Sequence, residues 1–172
     1  MSVLEILHYP APALRAKAEP VADVTDEIRQ LVENMAETMY AAPGIGLAAN
    51  QVGVLLRIFV IDIAEEDEPS DLKIFINPEI IEADGVQTFK EGCLSLPGVS
   101  EEIKRAEHIV VRALDVQGQP FELKAEGLLA VAIQHENDHL DGITMIDKVN
   151  ALKRKKMQRQ VQRAVQEASA AG

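Results

Sequence analysis

Apolar residues recur every three or four positions between Thr25 and Ala41, at Ile28, Leu31, Val32, Met35 and Met39, and this spacing predicts an amphipathic α-helix. Three later runs, Leu56 to Ile63, Lys73 to Asn77 and His108 to Leu114, are instead rich in Ile, Val and Phe and bounded by turn or polar residues, which predicts strands. Asp115 to Pro120 reads as the turn of an antiparallel hairpin whose second strand covers Phe121 to Lys124. A second helix is predicted from near Glu126, with Leu128, Val131, Ala132 and His135 along one side. Helices segregated from mainly antiparallel strands indicate an α+β fold, with the sheets around that second helix and a further helix at the C-terminus.

The second helix carries His135-Glu136-Asn137-Asp138-His139, an H-E-x-x-H. Residues four apart are neighbours on a helix, so both imidazoles can bind one metal ion. Glu136, one residue after the first ligand, can then reach a water molecule at that metal, the arrangement of metal-assisted hydrolysis. Sites of this kind use three protein ligands. The remaining candidates are His8, His108 and the single cysteine, Cys93, which follows an extended run in the Gly- and Pro-punctuated segment Lys90 to Pro97 and so belongs on a strand or its edge. A lone cysteine is ordinarily a small buried hydrophobe. Beside such a helix, with Gly92 letting backbone approach closely, a thiolate completing a Cys-His-His set is the preferred reading, and His8 and His108 read as surface or strand-end histidines.

Behind the first helix, Ala42-Pro43-Gly44 announces Gly44-Ile45-Gly46-Leu47-Ala48-Ala49-Asn50-Gln51. Taken alone, this is a helix C-cap and turn. It lacks the continuation and the lysine of a phosphate-binding loop, which disfavours nucleotide binding. Its small residues admit substrate backbone, and Gln51 offers the neutral amide donor that suits an oxyanion hole.

Gly44 to Gln51, Glu91-Gly92-Cys93-Leu94-Ser95 and Gln134-His135-Glu136-Asn137-Asp138-His139-Leu140-Asp141-Gly142 together resemble, in order and spacing, the three signature motifs of the peptide deformylases. The resemblance implies one metal ion, natively Fe2+, held by Cys93, His135 and His139, while the Cys-His-His donor set itself suits Zn2+, Ni2+ or Co2+ equally. It implies removal of the formyl group from N-formylmethionine at the start of new polypeptides, with release of formate. Glu136 matches the family's general acid/base, and Gln51 and the Leu94 N–H match its oxyanion donors. Gly46 falls where the family holds substrate backbone. Ile45, Glu91, Gly92, Leu128, Val131 and Ala132 fall among its substrate contacts, the apolar ones forming the methionine pocket. Glu91 and Arg105 resemble a family ion pair that braces the metal loop, while Asn50 and Asn137 occupy variable places.

Three rival readings use the same residues. A zinc endopeptidase sharing this helix usually takes His or Glu as its third ligand, which the cysteine argues against. A metal-free cysteine nucleophile activated by histidine would be indifferent to chelators. A noncatalytic RNA-binding protein would use its charge instead. The last 25 residues carry seven basic side chains against Glu167, a net +6, which leaves −17 on residues 1–147 of a chain totalling −11. An acidic body disfavours nucleic-acid binding over the whole surface and argues against a DNA partner, but a basic tail can dock on ribosomal RNA. Its alternative is a solvated amphipathic helix packing Val149, Leu152, Met157 and Val161.

The length of 172 residues suits a single catalytic domain over 1–147, with 148–172 a basic helix belonging to the same domain. No basic segment leads into an apolar stretch at the N-terminus, and no run approaches 18 consecutive apolar residues, so a soluble cytoplasmic protein without a membrane partner is expected. A lone cysteine rules out an intramolecular disulfide and agrees with a reducing compartment.

Overall fold

Thr25 opens the first helix, α1 (Asp26–Ala41), by accepting a hydrogen bond from the Ile28 N–H on its hydroxyl. This is seen in a computed structural model that describes residues 2–171. Val32, Met35 and Met39 form the helix's buried stripe, as their spacing predicts, joined by Ala36 and Thr38. Seven strands follow: β1 (Gly46–Ala48), β2 (Ile58–Ile61), β3 (Lys73–Asp84), β4 (Gln87–Gly92), β5 (Ser100–Arg105), β6 (His108–Leu114) and β7 (Pro120–Glu126). Two helices complete the chain, α2 (Gly127–Leu140) and α3 (Ala151–Ala171).

Five strands form one antiparallel sheet in the order β1-β2-β3-β6-β7, and β4 and β5 form a separate two-stranded sheet. Successive residues of β2 face opposite layers. Ile58 and Val60 pack with Val32, Met35 and Met39 of α1, whereas Phe59 and Ile61 pack with Ala130, Ala132 and Ile133 of α2. Coverage on both faces explains why this strand reads as an unbroken apolar run rather than an alternating one.

Two elements depart from the sequence expectation. β3 does not stop at Asn77 but continues seven residues to Asp84. Asn77 takes a positive φ of 52°, the register to β6 shifts between Ile76 and Glu79, and this irregularity accommodates Pro78 inside the strand. Asn77 also ties down the N-terminal segment, accepting from the Val21 N–H at 2.7 Å and donating to the Val21 carbonyl at 2.9 Å. The β4–β5 hairpin is the other departure. Its polar residues give little strand signal, and it is held by Ile103 packed against Leu96 and Val99 and by the ion pair described below.

The C-terminal helix packs Met157 and Val161 into a third cluster with Leu96, Val99, Ile103, Met145 and Ile146, and Val149 lies at its edge. Burying two such side chains contributes about 1.5–3 kcal/mol each. Leu152, expected on this face, instead lies on the outer side, 77% exposed, because it is five residues before Met157 and more than a quarter-turn off the buried stripe. Among the described residues, no helix is long and apolar enough to cross a membrane.

Candidate active site

α2 runs through the centre of the molecule and buries His135, Glu136 and His139 together with its apolar face. The two imidazoles stand edge to face with centroids 5.0 Å apart. Cys93 lies one residue past the end of β4, and its Sγ is 3.4 Å from His139 Nε2. The ligand atoms of Cys93, His135 and His139 all fall within 4.8 Å of one another, and this is the one such cluster among the described residues. A soft thiolate with two imidazoles suits a first-row divalent transition metal. Glu136 Oε1, buried and without a hydrogen-bond partner, belongs to the carboxylate next to His135, and with the Cys-His-His donor set it fits a metal centre. His8 and His108 lie elsewhere, both exposed, with His108 between Asp84 and Glu126.

His135 is braced from behind. His135 Nδ1 donates to Glu91 Oε1 at 2.9 Å, which leaves Nε2 free to face the thiolate. Arg105 grips the Glu91 carboxylate through two nitrogens at 2.6 and 2.9 Å and reaches Asp138 Oδ2 at 2.8 Å. Lys148 extends the chain of charges, 3.4 Å from the same Asp138 oxygen. Burial alone would raise Glu91, but the hydrogen bonds from His135 and Arg105 hold it below its usual range. The electrostatics of the two histidines diverge. Burial would lower both, yet the Glu136 charge and the bonds to Cys93 and Glu91 push His135 well above its usual value, whereas burial beside His135 and Arg105 drives His139 well below it. Burial also lifts Glu136 to about 7, and a neighbouring cation would pull it back down.

Gly46 lies directly against this carboxylate. A Cβ built there would come within 2.5 Å of Glu136 Oε2, so any side chain at 46 displaces the carboxylate. Ile45, Gly92, Leu128, Val131 and Ala132 line a cavity of about 90 Å3 that opens onto His135 and Glu136. Glu91 borders the same cavity, and its carboxylate is bound by Arg105 and His135. Gly92 is not required by neighbouring protein atoms, since an added Cβ would only touch the Val99 carbonyl oxygen at 3.7 Å. The space that it leaves belongs to the cavity instead. Gln51 is buried, with Nε2 3.7 Å from Cys93 Sγ. Leu94 turns its side chain onto Gly44, where a Cβ would lie 2.7 Å from Leu94 Cδ1.

With this geometry in place, the relatives are informative. Residues 3–155 match the family model described as polypeptide deformylase. The chain belongs to that family. It is 53% identical to the peptide deformylase of Alkalilimnicola ehrlichii over 97% of this chain and 93% of that one, and 54% identical to peptide deformylase 1 of Burkholderia multivorans over 91% and 86%. The solved peptide deformylase of Legionella pneumophila superposes with a TM-score of 0.93 at 40% identity, covering 99% of each chain. That of Ehrlichia chaffeensis, solved with actinonin, superposes at 0.90 with 40% identity, covering 95% of this chain and 98% of that one. The fold is accordingly the α+β arrangement of the deformylases.

Sequence reasoning passed over four residues of this site. Phe89 and Lys90 line the cavity, and the alternation of β4 would have placed Phe89 on the same face as Glu91 had the strand been recognised. Asp138, three residues after His135, completes the Arg105 cage. Ser95, which closes the Glu91-Gly92-Cys93-Leu94-Ser95 motif without a role of its own there, accepts from Gln51 Nε2 at 3.1 Å.

Proposed function

We propose that Cys93, His135 and His139 hold the metal ion of this metallohydrolase, with Glu136, Gln51 and the Leu94 N–H performing its chemistry. The reaction is removal of the N-formyl group from the N-terminal formylmethionine of newly synthesised polypeptides, releasing formate. The observation that carries the residue assignment is the convergence of a buried, proton-accepting carboxylate and a buried amide donor on one Cys-His-His cluster.

A divalent ion held there supplies Lewis acidity, polarising a carbonyl and lowering the pKa of a water molecule to about 7. Glu136 takes one proton of the attacking water as the C–O bond forms and gives it to the amine nitrogen as the C–N bond then breaks, so the methionine amine leaves neutral and the formyl group leaves as formic acid, which ionises to formate. As charge develops on the formyl oxygen, the Gln51 amide and the Leu94 N–H donate to it in a site shielded from water. The methionine side chain occupies the cavity between Ile45, Phe89, Leu128, Val131 and Ala132. Gly46 leaves the space that substrate backbone takes beside Glu136, and the confined space there selects a formyl over a bulkier acyl group.

The native ion on this reading is Fe2+, and Zn2+, Ni2+ and Co2+ suit the same donor set. A reducing cytoplasm keeps the Cys93 thiolate available. The outward face of α3 presents Lys156, Arg159 and Arg163 at helical spacing, which supports docking on ribosomal RNA phosphate where new chains emerge.

The test is formate release from a formyl-Met peptide, beside cleavage of the unformylated peptide, by protein purified without oxygen, stripped with a chelator and reloaded. Formate release that vanishes on stripping and returns with metal, with no peptide-bond cleavage, is the expected result. Turnover indifferent to the chelator would return Cys93 to the role of nucleophile.

A further inference from the structure

Gln51 has two chemically different ends, and both are spoken for in a position that is 1% exposed. Its Oε1 accepts from the Ala48 N–H at 2.9 Å, so the nitrogen end must face the other way: a flipped amide would set two donors against each other. Nε2 then meets Ser95 Oγ at 3.1 Å and Cys93 Sγ at 3.7 Å. An amide nitrogen carries two hydrogens at fixed angles in one plane. With one directed to the Ser95 hydroxyl, the other is left for the thiolate and the reacting carbonyl.

The two residues come from loops 44 positions apart, and the N-terminal segment holds those loops together. The Leu7 N–H donates to the Gln51 carbonyl at 2.7 Å, and the Tyr9 N–H donates to the Ser95 carbonyl at 2.9 Å. Ser95 is itself fully buried, so no solvent competes for the hydroxyl.

We infer that Ser95 is a positioning residue for deformylation, whose hydroxyl takes one Nε2 hydrogen of Gln51 and thereby aims the other at the formyl oxygen. This rests on the assignment of Gln51 as an oxyanion donor. Without the Ser95 oxygen the amide keeps its Ala48 bond but loses the restraint on its far end, and its nitrogen can swing out of line.

A double-mutant cycle tests the inference. Formate release from a formyl-Met peptide is followed for the wild type, Ser95→Ala, Gln51→Leu and the double variant, with metal content measured in each. Ser95→Ala is expected to lower kcat roughly tenfold, the upper end of what one hydrogen bond contributes, with KM and metal content unchanged, and to cost nothing further once Gln51 is leucine. Ser95→Cys, which keeps the volume but weakens the acceptor, is expected to show the same coupled pattern at smaller size. An equal loss from Ser95→Ala in both backgrounds would mean that Ser95 acts through packing alone and would overturn the inference, as would an unchanged kcat. Failure of the underlying donor assignment is separately visible, because Gln51→Leu by itself would then turn over at the wild-type rate.

Discussion

The helices α2 and α3 put their charged residues to opposite uses. α2 buries three titratable side chains, His135, Glu136 and His139, and the His135–Glu91–Arg105–Asp138 chain passes behind them with little exposure to water. α3 buries only the narrow stripe of Met157 and Val161 and keeps Lys155, Lys156, Arg159 and Arg163 on its exposed side. A buried charge requires specific partners at short range, so each change in α2 carries a structural consequence. An exposed charge contributes little to stability, so the outer face of α3 is free to serve an interaction. Substitutions can therefore separate the buried network around α2 from the outer face of α3, and one at a buried charge beside α1 completes the series, in order of decreasing effect.

The largest effect is expected at the proposed ligand Cys93. Cys93→Ser replaces a soft thiolate by a hard hydroxyl, and both metal retention and formate release should fall by more than the roughly 10–100-fold that removing an outer-shell partner costs. Stoichiometric metal after dialysis would remove Cys93 from the ligand set. Next comes Arg105→Ala, which leaves Glu91 buried, charged and without its bidentate partner. Breaking such a pair costs about 3–5 kcal/mol, and removing the brace behind His135 should weaken metal binding by roughly 10–100-fold. Thermal unfolding and metal titration would both have to be unmoved for the brace to be dispensable.

The third substitution reverses the α3 stripe. Lys156→Glu, Arg159→Glu and Arg163→Glu together should abolish ribosome cosedimentation at low salt and spare hydrolysis of a short formyl-Met peptide. Deleting the helix is a poorer test, because it uncovers Leu96, Val99 and Ile103 beside the Cys93 loop. For every phosphate that a single substitution leaves unneutralised, the slope of log affinity against log salt should flatten by about 0.7–0.9. Binding by the triple variant equal to wild type would leave α3 a purely structural helix.

The smallest effect is at Tyr40, whose hydroxyl donates to the buried Asp62 at 2.6 Å. Burial raises the Asp62 pKa, but that bond, with those from the Ala64 and Asp71 N–H groups, holds it below its usual value, and Tyr40 is itself pushed up to about 12 by burial and by Asp62. A depressed carboxylate stabilises the fold above its unfolded pKa of about 3.9 and loses that contribution as pH falls through the folded value. Tyr40→Phe should therefore cost on the order of 1 kcal/mol at pH 7, and the difference from wild type should shrink below about pH 4. A constant difference across that range would detach Tyr40 from the Asp62 charge.

The contrast between the helices also explains what the sequence disclosed. Helical periodicity alone placed Val32, Met35 and Met39 in the core, and four-residue spacing alone brought His135 and His139 together. Cys93 followed only by elimination among the remaining histidines and the lone cysteine, and Gln51 only from its amide chemistry, with the resemblance agreeing on both, because residues that meet through tertiary folding leave no local period. The β4–β5 hairpin was illegible since its stability comes from Ile103 and from Arg105 bound to Glu91, not from strand-forming residues. β3 was cut short at Asn77 because Pro78 ordinarily ends a strand, and only the bulge lets it continue. Leu152 shows the converse failure: an apolar residue near a helical stripe suggested burial, and its angular position put it in solvent.

The measurement that bears most directly on the account is the turnover of Glu136→Gln with its metal content determined on the same sample. The amide keeps the shape of a side chain that is 5% exposed and pressed against Gly46, while removing the proton acceptor. Full metal occupancy is expected, with formate release lowered by about 10²–10⁴-fold, the usual contribution of a general base. Release near the wild-type rate, with metal bound, would contradict it.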